Sequence, residues 1–147
     1  VVNRNDHAQT GAVMAFRILD KMGMEPADVA AVITAIGHHD DPTAFPVNAI
    51  AAALLLADKT DVRRSRVRNR DTINFDIHDR VNYAVERSGL TLDQERRTVT
   101  LSLSINTEVY AVMDYFEIFL KRMLLCRKAA EFFGLAFHLD INGQDLL

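Results

Sequence analysis

The first 66 residues carry apolar side chains at the three- and four-residue spacing of helices. The pattern predicts a helix over residues 6–22 capped by Gly23, a second helix that begins at Pro26, and a third from about residue 46 to residue 66. The third is apolar nearly all round at its start, which is typical of the central helix of a bundle. The three apolar stripes consist of Ala12, Ala15, Phe16, Leu19 and Met22; Val29, Val32, Ile33 and Ile36; and Val47, Ile50, Ala51, Leu54 and Leu55.

The pattern changes after about residue 69. Alternating apolar and polar residues predict one strand that begins at Val81 and another over residues 98–105, joined by a turn at "DQER". A long helix then begins at Asn106 or Thr107, and the segment "LAFHLDI" predicts a last strand. We therefore expect an α+β protein, with a helical bundle followed by a small antiparallel sheet packed with one long helix. The expected domains are residues 1–70 and 71–147.

Composition adds limits to this architecture. The chain has 147 residues, of which 49% are hydrophobic and 25% are charged, as in ordinary globular proteins. Its net charge of -3 gives no general attraction to nucleic acid or anionic membranes. The longest apolar run, residues 49–57, is far shorter than the roughly 18 residues that a membrane span needs. The single cysteine, Cys126, forms no intramolecular disulfide, which suits a reducing compartment, and we expect a cytoplasmic protein.

One acidic residue points into the predicted bundle. Asp58 follows Leu54 by four positions, so it lies on the apolar face of the third helix. A buried carboxylate is costly without a cation, a metal ion or several hydrogen-bond donors beside it. The neighbouring helix ends in the sequence "AIGHHDD", and His7 opens the first helix, followed by the small residues Gly11 and Ala12. Three helices would thus bring one ligand-type side chain each to a common point.

Each of these residues also has a purely structural explanation. His7 suits the first turn of a helix, and two adjacent histidines at a helix C-terminus interact favourably with the helix dipole. Asp58 fits an ion pair with an arginine from "DVRRSRVR". Asp40 and Asp41 precede Pro42, where turn-forming residues are expected. Taken together, however, the histidine, the histidine pair and the inward aspartate favour a shared site.

Three segments together carry a resemblance to a known family. "DHAQTGA" (6–12), "AIGHHDD" (35–41) and "LLLADKTDVRRSRVR" (54–68) resemble the later part of an HD-superfamily metal-dependent phosphohydrolase domain. The resemblance covers about residues 1–68. It implies an HD-like helical bundle in which histidines and aspartates bind one or two divalent metal ions and hydrolyse phosphoesters. By motif, the resemblance implies four metal ligands, His7, His38, His39 and Asp58. It implies Asp58 and Lys59 as catalytic residues. The implied metal is Mn, Fe, Mg or Zn.

The basic run after Asp58 suits a phosphate. Lys59, Arg63 and Arg66 are candidate substrate-binding residues, because cations neutralise phosphate oxygens. The expected substrate is a small phosphorylated molecule or a nucleotide. The alternative is a solvated helix end in which Arg63 and Arg66 pair with Asp58 or Asp61. No recognition motif accompanies the arginines, so sequence-specific nucleic-acid binding is not expected.

The chain departs from the family pattern at its start. The family's His-Asp doublet precedes the helix that carries His7, and this chain begins too late to contain it. His39 and Asp40 do not replace the doublet, because only 18 positions separate Asp40 from Asp58. We therefore expect a fragment or a shortened homologue with part of the site. The alternative is a non-catalytic binding, regulatory or dimerisation module on an HD-like scaffold, in which an edge strand pairs across a two-fold axis to form a homodimer.

Overall fold

The computed structural model describes residues 6–40, 43–67, 77–108 and 112–146. Within these ranges the chain forms six helices, one of them a single 3-10 turn, and a sheet of four strands, which confirms the α+β class. It divides into two compact units, Val1–Asp58 and Lys59–Leu147. The domain boundary expected at residues 70 and 71 lies outside the described residues and stays a prediction.

The first unit contains the helices predicted from the apolar spacing. They are α1 (His7–Lys21), α2 (Pro26–Gly37) and α3 (Ala49–Thr60), whose last two residues belong to the second unit. Gly23 ends the α1 turn with a φ of 72°, the left-handed conformation that glycine adopts without strain. Asn48 caps α3, because its side-chain oxygen accepts the Ala51 backbone N–H at 2.8 Å.

The third helix is shorter than the sequence pattern predicted. It ends at Thr60, Arg63 is extended, and only the single 3-10 turn η1 (Arg64–Arg66) follows. The prediction of a helix to residue 66 was therefore wrong. Asp61 provides the physical reason, because its carboxylate binds the guanidinium groups of both Arg63 and Arg66. Such local side-chain pairing stabilises a turn at the expense of a continued helix.

The apolar stripe of α1 is only partly covered. Ala8 is buried and Ala12 is half-buried, but Phe16 is 46% exposed and Met22 is 72% exposed. The helix contacts α2 through its small residues near Gly11, so the larger side chains lie beside that contact and not in it. Helical spacing thus located the helix correctly but overestimated the width of its buried face.

The second unit begins its regular structure with a helix that the sequence analysis missed. Residues Ile77–Ala84 form α4, and the strand β1 (Val85–Asp93) starts four residues later than expected. The strand predicted from Val81 was wrong. Val81 and Ala84 are both buried, at the i, i+3 spacing of a helix. The alternation of Val81, Tyr83 and Val85 predicted a strand, because over so few residues the two spacings are hard to tell apart.

Together with β1, the next three elements follow the predicted strand-strand-helix-strand order, and a short fourth strand comes after them. These elements are β2 (Thr98–Ile105), α5 (Val112–Phe132), β3 (Ala136–Ile141) and β4 (Gln144–Asp145). The predicted cap residues of the long helix, Asn106 and Thr107, lie before residues 109–111, which are outside the described part of the chain. Gly134 lies just beyond the helix, and its φ of 66° is the left-handed conformation expected of the predicted terminating glycine.

The sheet is mixed and not wholly antiparallel as predicted. Its order is β1-β2-β3-β4, in which β1 and β4 are antiparallel to their neighbours and β2 is parallel to β3. The chain passes from β2 to β3 through α5, and a helical crossover of this kind returns the chain to the same edge of the sheet. The small strand β4 was not predicted, although Asn142 and Gly143, both with positive φ, form the two-residue turn that an Asn-Gly pair favours.

The core of the second unit lies between α5 and one face of the sheet. Tyr115, Phe119, Met123 and Cys126 follow each other at helical spacing on the buried side of α5. The alternate residues of β2 and β3 face them, and the buried strand residues are Val99, Leu101, Leu103, Ile105, Phe137, Leu139 and Ile141. Among the described residues, no helix has the length and apolar character required to cross a membrane.

Candidate functional site

The candidate site lies where α1 and α2 approach each other closely. A Cβ atom placed on Gly11 would lie 3.3 Å from Ile36 Cγ2, and one placed on Gly37 would lie 3.9 Å from the Ala12 Cβ. The absence of a side chain at Gly11 lets the two helices come together at this point. His7 lies one turn before Gly11, and His39 lies three residues after Ile36, so the close contact brings the two histidines to one place.

The two histidine rings face each other through their outer nitrogen atoms. His7 Nε2 lies 3.2 Å from His39 Nε2, and the ring centroids are 5.0 Å apart with an angle of 78° between the planes. Both side chains are half-buried. This contact joins two of the residues that the sequence analysis named as metal ligands.

A backbone carbonyl orients His39. His39 Nδ1 lies 2.6 Å from the carbonyl oxygen of Ile36, which only accepts hydrogen bonds. His39 therefore carries its proton on Nδ1, and in the neutral ring its Nε2 accepts the hydrogen bond that His7 Nε2 donates at 3.2 Å. This is the arrangement in which histidine binds metal ions, with one nitrogen held by a hydrogen bond and the other able to act as a ligand.

Asp40 joins this pair, although its position before Pro42 predicted a turn. Its Oδ2 atom lies 3.6 Å from His7 Nε2, and both side chains are about one-third exposed. The signal was present in the sequence, since Asp40 directly follows His39. It was missed because an aspartate near Pro42 is more often a turn former. We refer to His7, His39 and Asp40 as the His-His-Asp cluster.

The segment after α2 is tied back to both helices. Thr43 Oγ1 donates a hydrogen bond to the Gly37 carbonyl oxygen at 3.1 Å and accepts one from Gln9 Nε2 at 3.1 Å. The backbone N–H of Phe45 also donates to the carbonyl oxygen of His38 at 3.0 Å. These bonds hold the chain on either side of the cluster and limit the freedom of its side chains.

The other two predicted metal ligands, His38 and Asp58, lie at the end of α2 and near the end of α3. His38 Nδ1 donates to the carbonyl oxygen of Thr34 at 2.9 Å, one turn earlier in α2. Asp58 is half-buried two residues before the end of α3. The structure thus brings His7 and His39 into direct contact, and the roles of His38 and Asp58 as ligands stay predictions.

The predicted substrate-binding residues belong to the second unit. Lys59 is only 2% exposed, so its side chain does not lie on an open surface. Arg63 Nε lies 2.8 Å from Asp61 Oδ1, and Arg66 Nη1 lies 3.3 Å from Asp61 Oδ2. Both arginines therefore bind one carboxylate, although their guanidinium groups remain partly exposed. Their role in binding a phosphate stays a prediction.

The histidine pair has the spacing of two neighbouring ligands in a metal site. Nitrogen ligands lie about 2.0–2.1 Å from zinc, so two neighbouring ligands of one ion are separated by about 2.8–3.4 Å. The 3.2 Å between the Nε2 atoms of His7 and His39 falls within this range. Among the described residues, however, no group of three histidine, cysteine, aspartate or glutamate side chains has the arrangement needed to hold an ion. The pair fits part of a metal site and requires further ligands.

The close helix contact predicts the effect of substitutions at Gly11. We expect Gly11→Leu to lower the free energy of unfolding by about 1–3 kcal/mol, because the added side chain must displace Ile36. Gly11→Ala should change it by less than about 1 kcal/mol, since better helix propensity offsets the tight contact. Urea unfolding monitored by circular dichroism measures both.

Gly37→Ala is the matched control, because its added Cβ meets Ala12 at an ordinary 3.9 Å. If Gly11→Leu were as stable as Gly37→Ala, the two helices would not be held together at Gly11.

Comparisons of the chain with protein-family models, with curated proteins and with solved structures found no match to any of them, so the site rests on its own geometry.

Proposed function

We propose that this chain is a metal-dependent phosphohydrolase domain of the HD type, which acts on a small phosphoester or a nucleotide. The observation that supports the proposal best is the contact between His7 and His39, whose Nε2 atoms are 3.2 Å apart. The resemblance in sequence motifs implies both residues as ligands, independently of their positions in space.

The chain's own residues would act as ligands and as supports. His7 and His39 would hold a divalent ion through Nε2, while the Ile36 carbonyl fixes the orientation of the His39 ring. Asp40 lies beside His7, where its negative charge would favour a bound cation. His38 and Asp58, from the same unit, are the proposed further ligands.

A divalent ion such as Mn, Fe, Mg or Zn supplies, when bound, a Lewis acid that makes a water molecule nucleophilic at neutral pH. The protein contributes neutral imidazoles and carboxylates, the ligand types that such ions accept. Both rings are half-buried, so part of each remains exposed to solvent. The buried free thiol of Cys126 suits a reducing compartment, and we propose the cytoplasm.

Metal binding by variants of the cluster tests this function. We expect the purified chain to bind Mn²⁺, and His39→Ala or His7→Ala to weaken binding about tenfold or more, because each removes a ligand. Isothermal titration calorimetry with Mn²⁺ measures the affinity. Hydrolysis of p-nitrophenyl phosphate and of a nucleoside monophosphate should fall in parallel.

His138→Ala is the matched control, since His138 is also half-buried but lies in the second unit beside Asp145, at 3.4 Å. Equal losses in His39→Ala and His138→Ala would contradict the proposed site. Metal binding that depends on His7 and His39 without any hydrolysis would favour the alternative of a non-catalytic binding module.

A further inference from the structure

The edge strand β1 is unusually open. All residues from Glu86 to Leu92 are exposed, and only Val85 at its start is buried. The neighbouring strand β2, by contrast, buries every second residue, as expected for a strand with one face on a core. In β1, the side chains are therefore exposed even on the face that, in β2, packs on the core.

Two leucines lie on that face. Leu90 is paired with Leu101 and Leu92 with Val99, so both point to the side of the sheet that α5 covers. Leu101 and Val99 are buried, yet Leu90 is 45% exposed and Leu92 is 55% exposed. The apolar face of the sheet thus extends one strand beyond its cover, and burying these leucines would stabilise an assembly.

The backbone edge of β1 is also open within the described part of the chain. Strand β1 ends the sheet order, and its pairing is with β2 alone. No proline or lysine interrupts the strand, and these are the residues that commonly prevent pairing at an edge. Ser88 donates a hydrogen bond to the Thr60 carbonyl oxygen at 3.4 Å, but this contact uses its side chain and not its backbone.

We propose that β1 pairs in antiparallel orientation with β1 of a second copy of this chain, across a two-fold axis through Leu90. The regular part of the strand, beyond the irregularity between Val85 and Arg87, covers residues 87–93, and Leu90 is its central residue. Full overlap of this segment with its copy therefore places Leu90 opposite Leu90 of the partner subunit. Such an isologous contact closes the assembly as a dimer with a continuous sheet of eight strands, twice the four of one copy.

Charge complementarity between residues of the strand itself selects this register. In an antiparallel pair, directly opposed residues share a face of the sheet. The two-fold axis must therefore place one residue opposite its own copy. Only an axis at Leu90 then places Arg87 opposite Asp93 of the partner subunit. By symmetry this ion pair forms twice. An axis through Gly89 would place Arg87 opposite Thr91. An axis through Thr91 would place it opposite Glu95, which is acidic but lies in the turn beyond the end of the strand.

Both charged residues are available for this contact. Among the described residues, no carboxylate forms an ion pair with Arg87. Asp93 Oδ1 accepts the backbone N–H of Arg96 at 2.9 Å, while its Oδ2 lies 3.7 Å from Nε of the highly exposed Arg96. A carboxylate oxygen accepts more than one hydrogen bond, so Asp93 retains capacity for a partner's guanidinium group.

Charge reversal tests both the surface and the register. We expect the full chain to be a dimer in analytical ultracentrifugation, and Arg87→Asp or Asp93→Arg to raise its dissociation constant about tenfold or more, because each variant places like charges opposite each other twice. An equimolar mixture of the two variants should recover the dimer, since opposite charges then face each other at both contacts. Lys121→Asp and Glu95→Arg, at exposed positions outside β1, are the matched controls and should behave as the wild type.

A cross-link provides a second measurement that does not depend on the charges. Leu90→Cys should form a disulfide-linked dimer under mild oxidation, because opposed residues of antiparallel strands have Cα atoms about 4.5–5.5 Å apart, within disulfide range. Thr91→Cys, one residue away, should not, because Thr91 faces Gly89 of the partner subunit.

A monomeric wild type, a dimer that Arg87→Asp does not weaken, or equal cross-linking at positions 90 and 91 would each overturn the proposal. Binding of an unrelated strand at β1 by a monomeric chain would likewise show that the edge serves a different partner.

Discussion

Replacement of Phe119 by alanine is expected to lower the free energy of unfolding by about 3–5 kcal/mol. Phe119 is fully buried on the side of α5 that faces the sheet, its ring centroid lies 5.2 Å from that of Tyr115, and the Arg122 guanidinium lies 4.8 Å above it. The substitution removes all of these contacts and leaves a cavity that the helix and the sheet only partly fill. Urea denaturation at fixed pH measures the loss.

The adjacent Leu120 is the matched control, since it lies about 100° further round the same helix turn and is 47% exposed. Leu120→Ala should cost less than about 1 kcal/mol. Comparable losses in the two variants would mean that α5 does not bury the face containing Phe119.

The second large effect is a loss of stability at alkaline pH that depends on Tyr115. Burial raises the pKa of the Tyr115 hydroxyl well above its usual value, and nearby Cys126 raises it further, while Arg122 acts in the opposite direction. The hydroxyl donates a hydrogen bond to Met123 Sδ at 3.4 Å. An ionised phenolate is therefore disfavoured in the folded state but not in the unfolded chain.

The pKa of Tyr115 is higher in the folded state than in the unfolded chain. Its contribution to the free energy of unfolding is therefore complete below about pH 10, where tyrosine is neutral in both states. It is lost as the pH rises from there through the folded-state pKa, at up to about 1.4 kcal/mol for each pH unit. Tyr115→Phe should have a smaller alkaline loss than the wild type, although it lacks the bond to Met123. Urea unfolding between about pH 8 and about pH 11.5 measures this difference, with Tyr83→Phe as the control. Identical pH profiles for the wild type and Tyr115→Phe would contradict the prediction.

Sequence patterns located most of the helices and strands because their periods are long and regular. The "TVTLSLSI" segment forms β2 with the predicted bounds, and α1 and α2 fall within about one residue of the prediction. The errors arose where a pattern is short or a local interaction competes. Helix α4 offers only a few positions of helical spacing, and α3 stops where Asp61 binds two arginines.

The parallel pairing of β2 with β3 was not predicted, since residue alternation is the same in parallel and antiparallel strands. Their relative direction follows from the helical connection between them.

Part of the candidate site was predicted and part was not. The sequence identified His7 and the histidine pair through their helical positions, and the structure places His39 against His7. Spacing alone does not show which of two adjacent histidines turns towards a neighbouring helix, because that depends on the local bonds of each ring to Thr34 and Ile36. The role of Asp40 was not recognised because a turn explained it adequately. Three-dimensional proximity was needed to join it to His7.

The mixed sheet also has a consequence for the order in which the second unit folds. Strands β1 and β2 meet through a short turn, whereas β2 and β3 meet only after the whole of α5 has been traversed, as in the pairing of Leu101 with Leu139. Closing the longer segment costs more chain entropy, so the hairpin is the cheaper nucleus. We therefore expect the hairpin to form before its apolar face is covered, so that a folding chain exposes the β1 edge and the future core of β2 together. That interval is when the protein is most prone to aggregate, and docking of α5 with β3 ends it.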